Sequence, residues 1–545
     1  MDRYIEKLIR SAEQRTAHFM KNQVKDPNRK DFGGLKNPVI DVKPTVYVLT
    51  TSLAVYFNED SCYYKDQELY QAICRGIDFI ASYQREDGSF DYATCNFMSA
   101  PDTSFIYKRL IAAYRLIMKY DHENALIELK EKYLQIMLKA QEGIKNGGFH
   151  TPNHRWAICA ALMQGANLRK GDPKASEYMD KAAEYLAEGI DGDEDGQYAE
   201  RSTGGYNAVV NNAMISMYEE SGEEKFLGYV ERNLQMMLTY IDPDDSIFTQ
   251  NSTRQDQGKT EYMDRYFYQY LYLTSLKFNE DFDRAAHKII KDVVERGMEA
   301  PDCLHYIMLN DRMRDYRFSG YGFLDTYRKH YESSGVVRVK TPKFGYTLLK
   351  NSSNFLFMKV NETPIYVRIG ESYCAVRNFE PQTLEVKDKE YIMSAVATGW
   401  YYLPFENYEG TNDWWEMDHS KRELLCNSEL KITVTIKEQE DGLDMKIATE
   451  GLDRLPLRVM VCIPSGSIIE NEHFYLSAEK GSGMILRDSY VNVTHQDQCV
   501  QIGPGFGTHE FQGHYSGENK NDVGYTIYFN EYTPYDKTIS IKVLN

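Results

Sequence analysis

The spacing of apolar residues changes once along this chain, near residue 335, and this change limits the possible folds more than any other feature. Before it, apolar residues recur at helical spacing in segments such as SFIYKRLIAAYRLIMKY and KFLGYVERNLQMMLTYI. Short breaks rich in Gly, Pro, Asp or Asn separate these segments. About ten to twelve helices of similar length predict a toroid or barrel of helical hairpins, or an open solenoid.

After Gly335 the segments alternate apolar and polar residues and are rich in Val, Ile, Tyr and Thr, as in PIYVRIG, ELKITVTIKE and TISIKVL. Such alternation is typical of strands with one buried face. We therefore predict two domains, a helical (α/α) toroid over residues 1–335 and an antiparallel β-sandwich over residues 336–545. A chain of 545 residues is also too long for one ordinary core.

The charge and the cysteines exclude several classes of protein. The chain has 63 basic and 81 acidic residues and a formal net charge of -18, which argues against a nucleic-acid or membrane partner. Its nine cysteines show no paired spacing, so neither a zinc cluster nor a disulfide framework is predicted. The first residues, MDRYIEKLIRSAEQRT, lack the apolar centre of a secretory signal, so we expect a cytoplasmic protein. No cofactor is predicted, and the sequence does not predict an oligomeric state.

The stretch HTPNHRW places Asn153 and His154 in the first turn of a predicted helix. Thr151 is a good N-cap and Pro152 suits the first helical position, so both side chains would lie beside unpaired backbone N–H groups. Such a helix start binds anions, and its dipole disfavours a protonated imidazole. The pair therefore predicts chemistry on an acidic sugar. The alternative is that Asn153 caps the helix and His154 is a structural histidine.

A second cluster, DGQYAERSTGGYN, precedes the apolar helical run AVVNNAMISMY. Ser202 or Thr203 can cap that helix, and the pair Gly204 and Gly205 allows a tight turn that brings Tyr206 to its beginning. Tyr206 is then a third residue at a junction of loop and helix. The alternative is an ordinary core tyrosine in a chain with 43 tyrosines.

These motifs together resemble a known family. An Asn-His pair that opens a helix, followed by a tyrosine in the context D-G-x-Y-x-E-x-S-x-x-x-Y, is similar to the (α/α)-toroid polysaccharide lyases of the heparinase II/III and alginate lyase type. Upstream, NFMSAPDTSF resembles a helix-opening segment of the same broad group, with Asp102 as N-cap. The resemblance implies a helical toroid followed by an antiparallel β domain.

The resemblance also implies β-elimination of a uronic-acid-containing oligosaccharide in a cleft between the domains. Asn153 would neutralise the carboxylate as charge builds on it, and Tyr206 would protonate the departing O4 oxygen. Either Tyr206 or His154 would remove the C5 proton. Because a free phenol has a pKa of about 10, Tyr206 as base requires a nearby cation. The candidate cations are Arg155, Arg201, Arg254 and Arg265.

The sequence departs from the family pattern in the β domain, where relatives often contribute a further histidine. The strand that corresponds, YVRIGESYCAVRNF, has none, so His419 is the nearest substitute, followed by His509 and His514. Trp156 and Trp415 could stack on a sugar, and Trp400 and Trp414 are further aromatic candidates, or these rings could pack between domains. The predicted substrate-binding residues are His150, Arg155, Trp156, Arg201, Arg254, Trp415 and His419.

Two other functions stay open at this point. A glycoside hydrolase would use two carboxyl groups, for which Asp102, Asp195, Glu200 and Asp256 are the candidates. A non-catalytic glycan-binding protein is the third interpretation. Related lyases sometimes hold a structural divalent metal in the β domain, but the sequence identifies no ligands for one. The expected partner is an acidic oligosaccharide.

Overall fold

A computed structural model describes residues 3–374, 376–399, 401–426, 428–509 and 521–544. The chain divides into two compact units, one made of Met1–Ile241 with Ser246–Leu324, the other of Asp242–Asp245 with Asp325–Asn545. The first is helical and the second is an antiparallel β-sandwich, which confirms the predicted fold class.

The predicted boundary at residues 335 and 336 is too late. The second unit already begins at Asp325, and its first strand is Tyr327–Tyr331. The three central residues of this strand, 328–330, are basic and exposed, and only its two terminal tyrosines are buried. Such a strand lacks the apolar alternation on which the prediction depended.

Thirteen α-helices lie in the described part of the first unit. They are α1 (Arg3–Asn22), α2 (Val42–Phe57), α3 (Gln67–Ser82), α4 (Ala100–Tyr120), α5 (Ile127–Asn146), α6 (Pro152–Leu168), α7 (Lys174–Ala187), α8 (Tyr206–Ser221), α9 (Glu224–Met237), α10 (Phe267–Leu276), α11 (Glu280–Glu295), α12 (Leu304–Leu309) and α13 (Asp311–Arg314). A short hairpin of β1 (Phe90–Tyr92) and β2 (Asn96–Ser99) precedes α4.

The helices form two layers. The even-numbered helices α2, α4, α6, α8 and α10 contact one another in that order, and α3, α5, α7, α9 and α11 each pack on the preceding even-numbered helix. Helix α12 contacts both α2 and α4. Helix α6 is buried on nearly all sides from Arg155 to Ala166, whereas α3 buries one apolar stripe. This difference is expected of an inner and an outer layer and makes the unit a helical toroid.

The inner helices α2, α4 and α6, together with the loop that leads into α8, meet at one end of the toroid. Lys43 in the first turn of α2 pairs with Asp102 in the first turn of α4. Asn153 at the start of α6 binds Glu200, which lies shortly before α8. The positive ends of several helix dipoles therefore point to the same region. Within the described residues, no helix combines the length and apolar character needed to span a bilayer.

Two large sheets build the second unit. Its strands are β3 (Tyr327–Tyr331), β4 (Val336–Lys340), β5 (Gly345–Leu349), β6 (Leu356–Val360), β7 (Thr363–Tyr373), β8 (Val376–Asn378), β9 (Thr383–Lys387), β10 (Glu390–Thr398), β11 (Tyr401–Tyr402), β12 (Leu424–Cys426), β13 (Glu429–Gln439), β14 (Gly442–Gly451), β15 (Pro456–Pro464), β16 (Ile468–Glu470), β17 (Tyr475–Ser477), β18 (Gly483–Ile485), β19 (Val491–His495), β20 (Gln498–Gly503), β21 (Gly524–Tyr532) and β22 (Asp536–Val543).

One sheet has the strand order β17-β16-β19-β20-β22-β14-β13-β10-β9, and the other has the order β18-β21-β15-β7-β6-β5-β4-β3 with β8 paired to β7. The pairings are antiparallel apart from β18 with β21. Alternate residues of both sheets, such as Val434 and Ile436 on β13 and Val459 and Val461 on β15, form the core between them. The small pair of β11 and β12 flanks the loop that contains Trp415.

Candidate functional site

The start of α6 binds an anion, and that anion belongs to the protein itself. Thr151 and Pro152 occupy the predicted positions, but the Thr151 side chain does not cap the helix. Instead, Glu200 Oε2 accepts hydrogen bonds from the backbone N–H of Asn153 at 3.1 Å and from its Nδ2 at 2.7 Å. The predicted anion-binding character of this helix start is therefore present, with Glu200 as its ligand.

The prediction that the Asn153 amide lies open to a substrate is wrong for this structure. Asn153 is 0% exposed, and its Oδ1 has no hydrogen-bond partner among the residues that the structure describes. One amide hydrogen is directed to Glu200, and the amide nitrogen otherwise reaches only Thr151 Oγ1 at 3.4 Å. The amide is not open because it binds the carboxylate of Glu200, which lies 47 residues further along the chain.

Arg254 connects the start of α6 with the start of α8. Its Nε lies 3.1 Å from Glu200 Oε1, and its guanidinium lies 4.9 Å from the centre of the Tyr206 ring. Tyr206 is half-buried, and its hydroxyl donates to Gln255 Oε1 at 3.2 Å. One series of contacts therefore runs from Asn153 through Glu200 and Arg254 to Tyr206, and it includes the cation that the sequence required beside this phenol.

A separate carboxylate holds the start of α8. The backbone N–H of Tyr206 donates to Ser202 Oγ at 3.0 Å, and Ser202 Oγ donates to Asp256 Oδ1 at 2.9 Å. The N–H of Gly204 donates to Asp256 Oδ2 at 2.9 Å. A Cβ atom at Gly204 would lie 2.8 Å from Glu261 Cγ and 3.0 Å from Asp256 Oδ2, so a side chain there would collide with the loop. The prediction that Ser202 or Thr203 is the N-cap of α8 is wrong, because Gly205 takes that position without a side-chain cap. Ser202 instead holds the Tyr206 N–H from outside the cap, and Gly204 makes the predicted tight turn.

His154 lies beside aromatic side chains and is half-buried. Its ring centre is 4.7 Å from that of His150 and 5.9 Å from that of Phe105. Burial, followed by the charge of His150, lowers the pKa of His154 to about 4, although Asp102 opposes the shift. His154 is therefore neutral near pH 7, as predicted, but burial rather than the helix dipole is the main cause. Its Nδ1 is buried with no hydrogen-bond partner within the described chain.

A lysine that the sequence analysis missed lies at the same end of the toroid. Lys43 Nζ is 2.7 Å from Asp102 Oδ1. It also lies 4.9 Å from the centre of the Tyr92 ring and 5.1 Å from the centre of the Phe105 ring. Burial would raise the pKa of Asp102, but the charge of Lys43 and several hydrogen bonds outweigh this and lower it. Asp102 is not the N-cap of α4, because Ser99 takes that position and accepts a hydrogen bond from the Asp102 N–H.

Comparison with known proteins agrees with this architecture. Xanthan lyase from Paenibacillus superposes with a TM-score of 0.62 and 10% identity, over 100% of this chain and 57% of that chain. A mutant of heparan sulfate lyase HepC from Pedobacter heparinus gives a TM-score of 0.56 and 11% identity, over 100% of this chain and 84% of that one. Heparinase III gives 0.57 and 9%, over 99% and 85%. The chain has the fold of these polysaccharide lyases.

This lyase fold is shown by structure alone. No protein-family model and no curated protein sequence matches the chain. The chain spans little more than half of the xanthan lyase, so the activity of that whole protein does not carry over directly.

Two predicted substrate-binding residues serve packing instead. Trp156 is 0% exposed, and its Nε1 donates to Asp191 Oδ1 at 2.5 Å. Arg155 is 8% exposed, pairs with Glu188 at 2.6 Å and stacks on the Trp156 ring. Both predictions are wrong because α6 is an inner helix that is buried on nearly every side. Sequence periodicity cannot tell which of its faces borders the site.

The other two candidates near the site are exposed. His150 is exposed and in contact with His154, which keeps it a candidate for binding a substrate. Arg201 is exposed and has a φ of 50°, in the left-handed region. Arg265 lies near the start of α8, since its Nη1 would be 3.9 Å from a Cβ atom at Gly205. Arg254 and Arg265 are therefore the two predicted cations that the structure places beside the start of α8.

The candidates of the second unit stay predictions. Trp415 is 90% exposed. His419 Nε2 donates to the Trp414 carbonyl at 2.8 Å, and the two rings lie 4.1 Å apart. His509 is buried against the ring of Tyr532. The further candidates Trp400 and His514 lie outside the described residues.

The four candidate carboxylates of a hydrolase are less favourably arranged than the lyase candidates. The three buried candidate acids, Asp102, Glu200 and Asp256, each bind donors of the protein itself. Asp195 is only partly buried. Among the residues described, no group of three or more His, Cys, Asp or Glu side chains is placed to bind a metal ion. The structural divalent metal that the resemblance suggested stays a prediction.

Proposed function

We propose that this chain is a lyase that cleaves a uronic-acid-containing oligosaccharide by β-elimination at the starts of α6 and α8. The observation that carries the proposal is the series of contacts from Asn153 through Glu200 and Arg254 to Tyr206, with His154 next to Asn153. It joins an amide, a cation, a phenol and a neutral imidazole. These are the groups that elimination beside a carboxylate requires.

The anionic end of the substrate is drawn to Arg254, whose side chain is 26% exposed and lies beside the Tyr206 ring. Glu200 holds one amide hydrogen of Asn153, and the second is engaged only by Thr151 at long distance. A substrate carboxylate that displaces the Thr151 side chain would take this second hydrogen. Asn153 would then neutralise the charge that builds on the carboxyl group in the enolate-like state.

Two protons must move for the elimination to proceed. A base removes the C5 proton, the electron pair forms the C4–C5 double bond, and the bond between C4 and the glycosidic O4 breaks. Tyr206 donates its phenolic proton to O4, and His154, neutral at pH 7, accepts the C5 proton. Where the sugar presents its C5 proton to the other face, Tyr206 acts as base as well, with Arg254 over its ring.

The contacts of the candidate acids make a hydrolase a weaker proposal. Inverting and retaining hydrolases need one carboxylic acid that can donate a proton. Lys43 keeps the pKa of Asp102 low, and the Glu200 and Asp256 carboxylates accept hydrogen bonds from backbone and side-chain donors. The cleft between the domains and the cytoplasmic location stay predictions from the sequence.

The purified chain should be incubated with a panel of uronic-acid oligosaccharides while near-ultraviolet absorbance and reducing ends are both recorded. β-Elimination produces a conjugated alkene, so absorbance and reducing ends should rise together. Reducing ends without the new absorbance would replace the lyase by a hydrolase. Binding of the oligosaccharides without either signal would favour the glycan-binding interpretation.

A further inference from the structure

A second cavity lies in the helical unit, away from Tyr206 and His154. It has a volume of about 410 Å³, and its lining includes side chains of α4, α6, α8, α10 and α12. On α8 it reaches Ser216, which at the helical rise of 1.5 Å per residue lies about 15 Å beyond Tyr206. Its size falls in the range of roughly 300–1,000 Å³ that is usual for small-molecule sites.

The cavity is lined by polar side chains, one of which is buried without a partner. The Tyr306 hydroxyl has no hydrogen-bond partner in the part of the chain that the structure describes. Gln164, which is 4% exposed, and Tyr268, which is 8% exposed, place an amide and a second hydroxyl in the same lining. A buried polar group without a partner is costly, so the Tyr306 hydroxyl indicates a ligand that binds it in this cavity.

A cation without a counter-ion lies among these groups. Lys108 Nζ lies 5.4 Å from the centre of the Tyr306 ring and, within the described residues, has no carboxylate within ion-pair distance. Burial, together with the like charge of Arg109, lowers the pKa of Lys108 to about 7. An anion beside Lys108 would restore the favourable environment that its ammonium lacks.

The remaining charges select an anion of low charge. Arg115 is paired with Glu220 at 2.6 Å, and Asp311 is paired with Lys119 at 2.8 Å. The other ionisable residues of the lining are Lys108, Arg312 and Glu219. Burial raises the pKa of Glu219 to about 7, close to that of Lys108, so near neutral pH Arg312 alone of these three keeps its full charge. This balance matches a ligand with a single negative charge better than a phosphate ester.

The neutral part of the lining fits a sugar. Tyr268 and Tyr306 stack with their ring centres 4.7 Å apart and supply both aromatic surface and hydroxyls. The amide of Gln164 can both donate to and accept from sugar hydroxyls. We propose that this cavity binds a monosaccharide acid, with its carboxylate at Lys108 and its hydroxyls at Gln164, Tyr268 and Tyr306. The proposal does not use Tyr206 or His154, so it stands whether or not the chain cleaves glycans.

Binding to the full-length chain should be measured by calorimetry with four probes: glucuronate, galacturonate, glucose and inorganic phosphate. At least one uronate should bind, and glucose and phosphate should bind at least about tenfold more weakly. Lys108→Met, which keeps the length of the side chain, and Gln164→Leu should each weaken uronate binding by about tenfold or more. The matched control Lys30→Met, at an exposed lysine, should bind as the unmodified chain does.

Arg254→Met separates the two sites. It should leave uronate binding at the cavity unchanged, because Arg254 belongs to the site at the helix starts. The proposal is overturned if no uronate binds, if phosphate binds as tightly, or if Arg254→Met abolishes binding while Lys108→Met and Gln164→Leu do not. Thermal unfolding of each variant shows whether it folds, and Gln164→Leu serves as the test if Lys108→Met does not.

Discussion

The starts of α6 and α8 are built alike, but they differ in the partners of the carboxylate that each receives. Each receives a buried carboxylate from a neighbouring loop, Glu200 for α6 and Asp256 for α8. Asp256 accepts hydrogen bonds from two serine hydroxyls and a backbone N–H. Glu200 instead shares its charge between Asn153 and the partly exposed Arg254.

This difference indicates that the start of α6 belongs to the proposed site and that the Asp256 contacts before α8 support it. Both starts hold polar atoms without a hydrogen-bond partner among the described residues, Asn153 Oδ1 and His154 Nδ1 at α6 and both amide atoms of Asn207 at α8. At α8, the Asp256 contacts fix the turn that presents Tyr206, and the phenol is free to face solvent and Gln255. Glu200 contacts Asn153 and Arg254, which the proposed reaction uses, whereas the contacts of Asp256 fix the turn. We therefore expect substitutions at Glu200 to affect cleavage and substitutions at Asp256 to affect mainly folding.

Tyr206→Phe gives the largest expected effect on cleavage. It removes the proton that O4 needs, and general acid catalysis contributes about 10²- to 10⁴-fold. Turnover of the best oligosaccharide should fall by that factor, while the urea unfolding midpoint changes little because the hydroxyl donates only to the exposed Gln255. Tyr178→Phe, which removes a hydroxyl bound to Glu142, is the matched control and should keep full turnover. Near-normal cleavage by Tyr206→Phe would remove Tyr206 as the acid.

Glu200→Gln should reduce turnover by at least about tenfold and also lower the free energy of unfolding by about 1.5–3 kcal/mol, because Asn153 loses its charge-assisted hydrogen bonds. Turnover and urea unfolding should be measured on the same preparation. Glu438→Gln removes an equally buried carboxylate that pairs with Arg328 in the other unit. That control should lose stability and keep its turnover, and equal losses of turnover in both variants would contradict a special role for Glu200.

Asp256→Asn tests the other helix start. Its carboxylate holds Ser202, Ser252 and Gly204, so the free energy of unfolding should fall by about 1–3 kcal/mol. Turnover per folded molecule should fall by less than about tenfold, since the reacting groups keep their identity. If this variant lost as much turnover as Glu200→Gln, the two helix starts would not differ in the way proposed.

The smallest expected effect is the contribution of His154 to the stability of the protein at acid pH. The folded chain holds its pKa at about 4, against about 6.5 when unfolded. Between these values the unfolded chain takes up a proton and the folded chain does not, so stability is complete above about pH 6.5 and is lost as the pH falls towards 4. His154→Gln should reduce this loss by about 1–2 kcal/mol, because part of the ring is solvated. Urea unfolding at pH 7 and pH 4.5 measures it, and identical losses in both proteins would count against a neutral His154.

Local sequence signals predicted the parts of the site that lie within one segment. The change of apolar spacing separated the helical unit from the sandwich, and Thr151-Pro152 placed the start of α6 correctly. Ser202 and Gly204 similarly pointed to the turn before Tyr206. These features depend on backbone preferences of neighbouring residues, which a sequence displays directly.

The parts that depend on distant partners could not be predicted in this way. Glu200 closes the start of α6 from 47 residues away, and Lys43 reaches Asp102 from 59 residues away. The predictions for Trp156 and Arg155 were wrong for a related reason. A helix buried on all sides has no apolar periodicity that marks the face towards the site. Only the packing of the toroid decides which polar residues meet.

Neighbouring helices of the inner layer deliver their groups separately, Lys43 from α2, Asp102 from α4, His154 from α6 and Tyr206 from α8. Each hairpin can therefore be regarded as an exchangeable module that contributes one functional group. Substitutions in the first turn of one helix would change the group that this helix contributes, while the other hairpins keep their packing. In this architecture new specificities can be acquired one helix at a time.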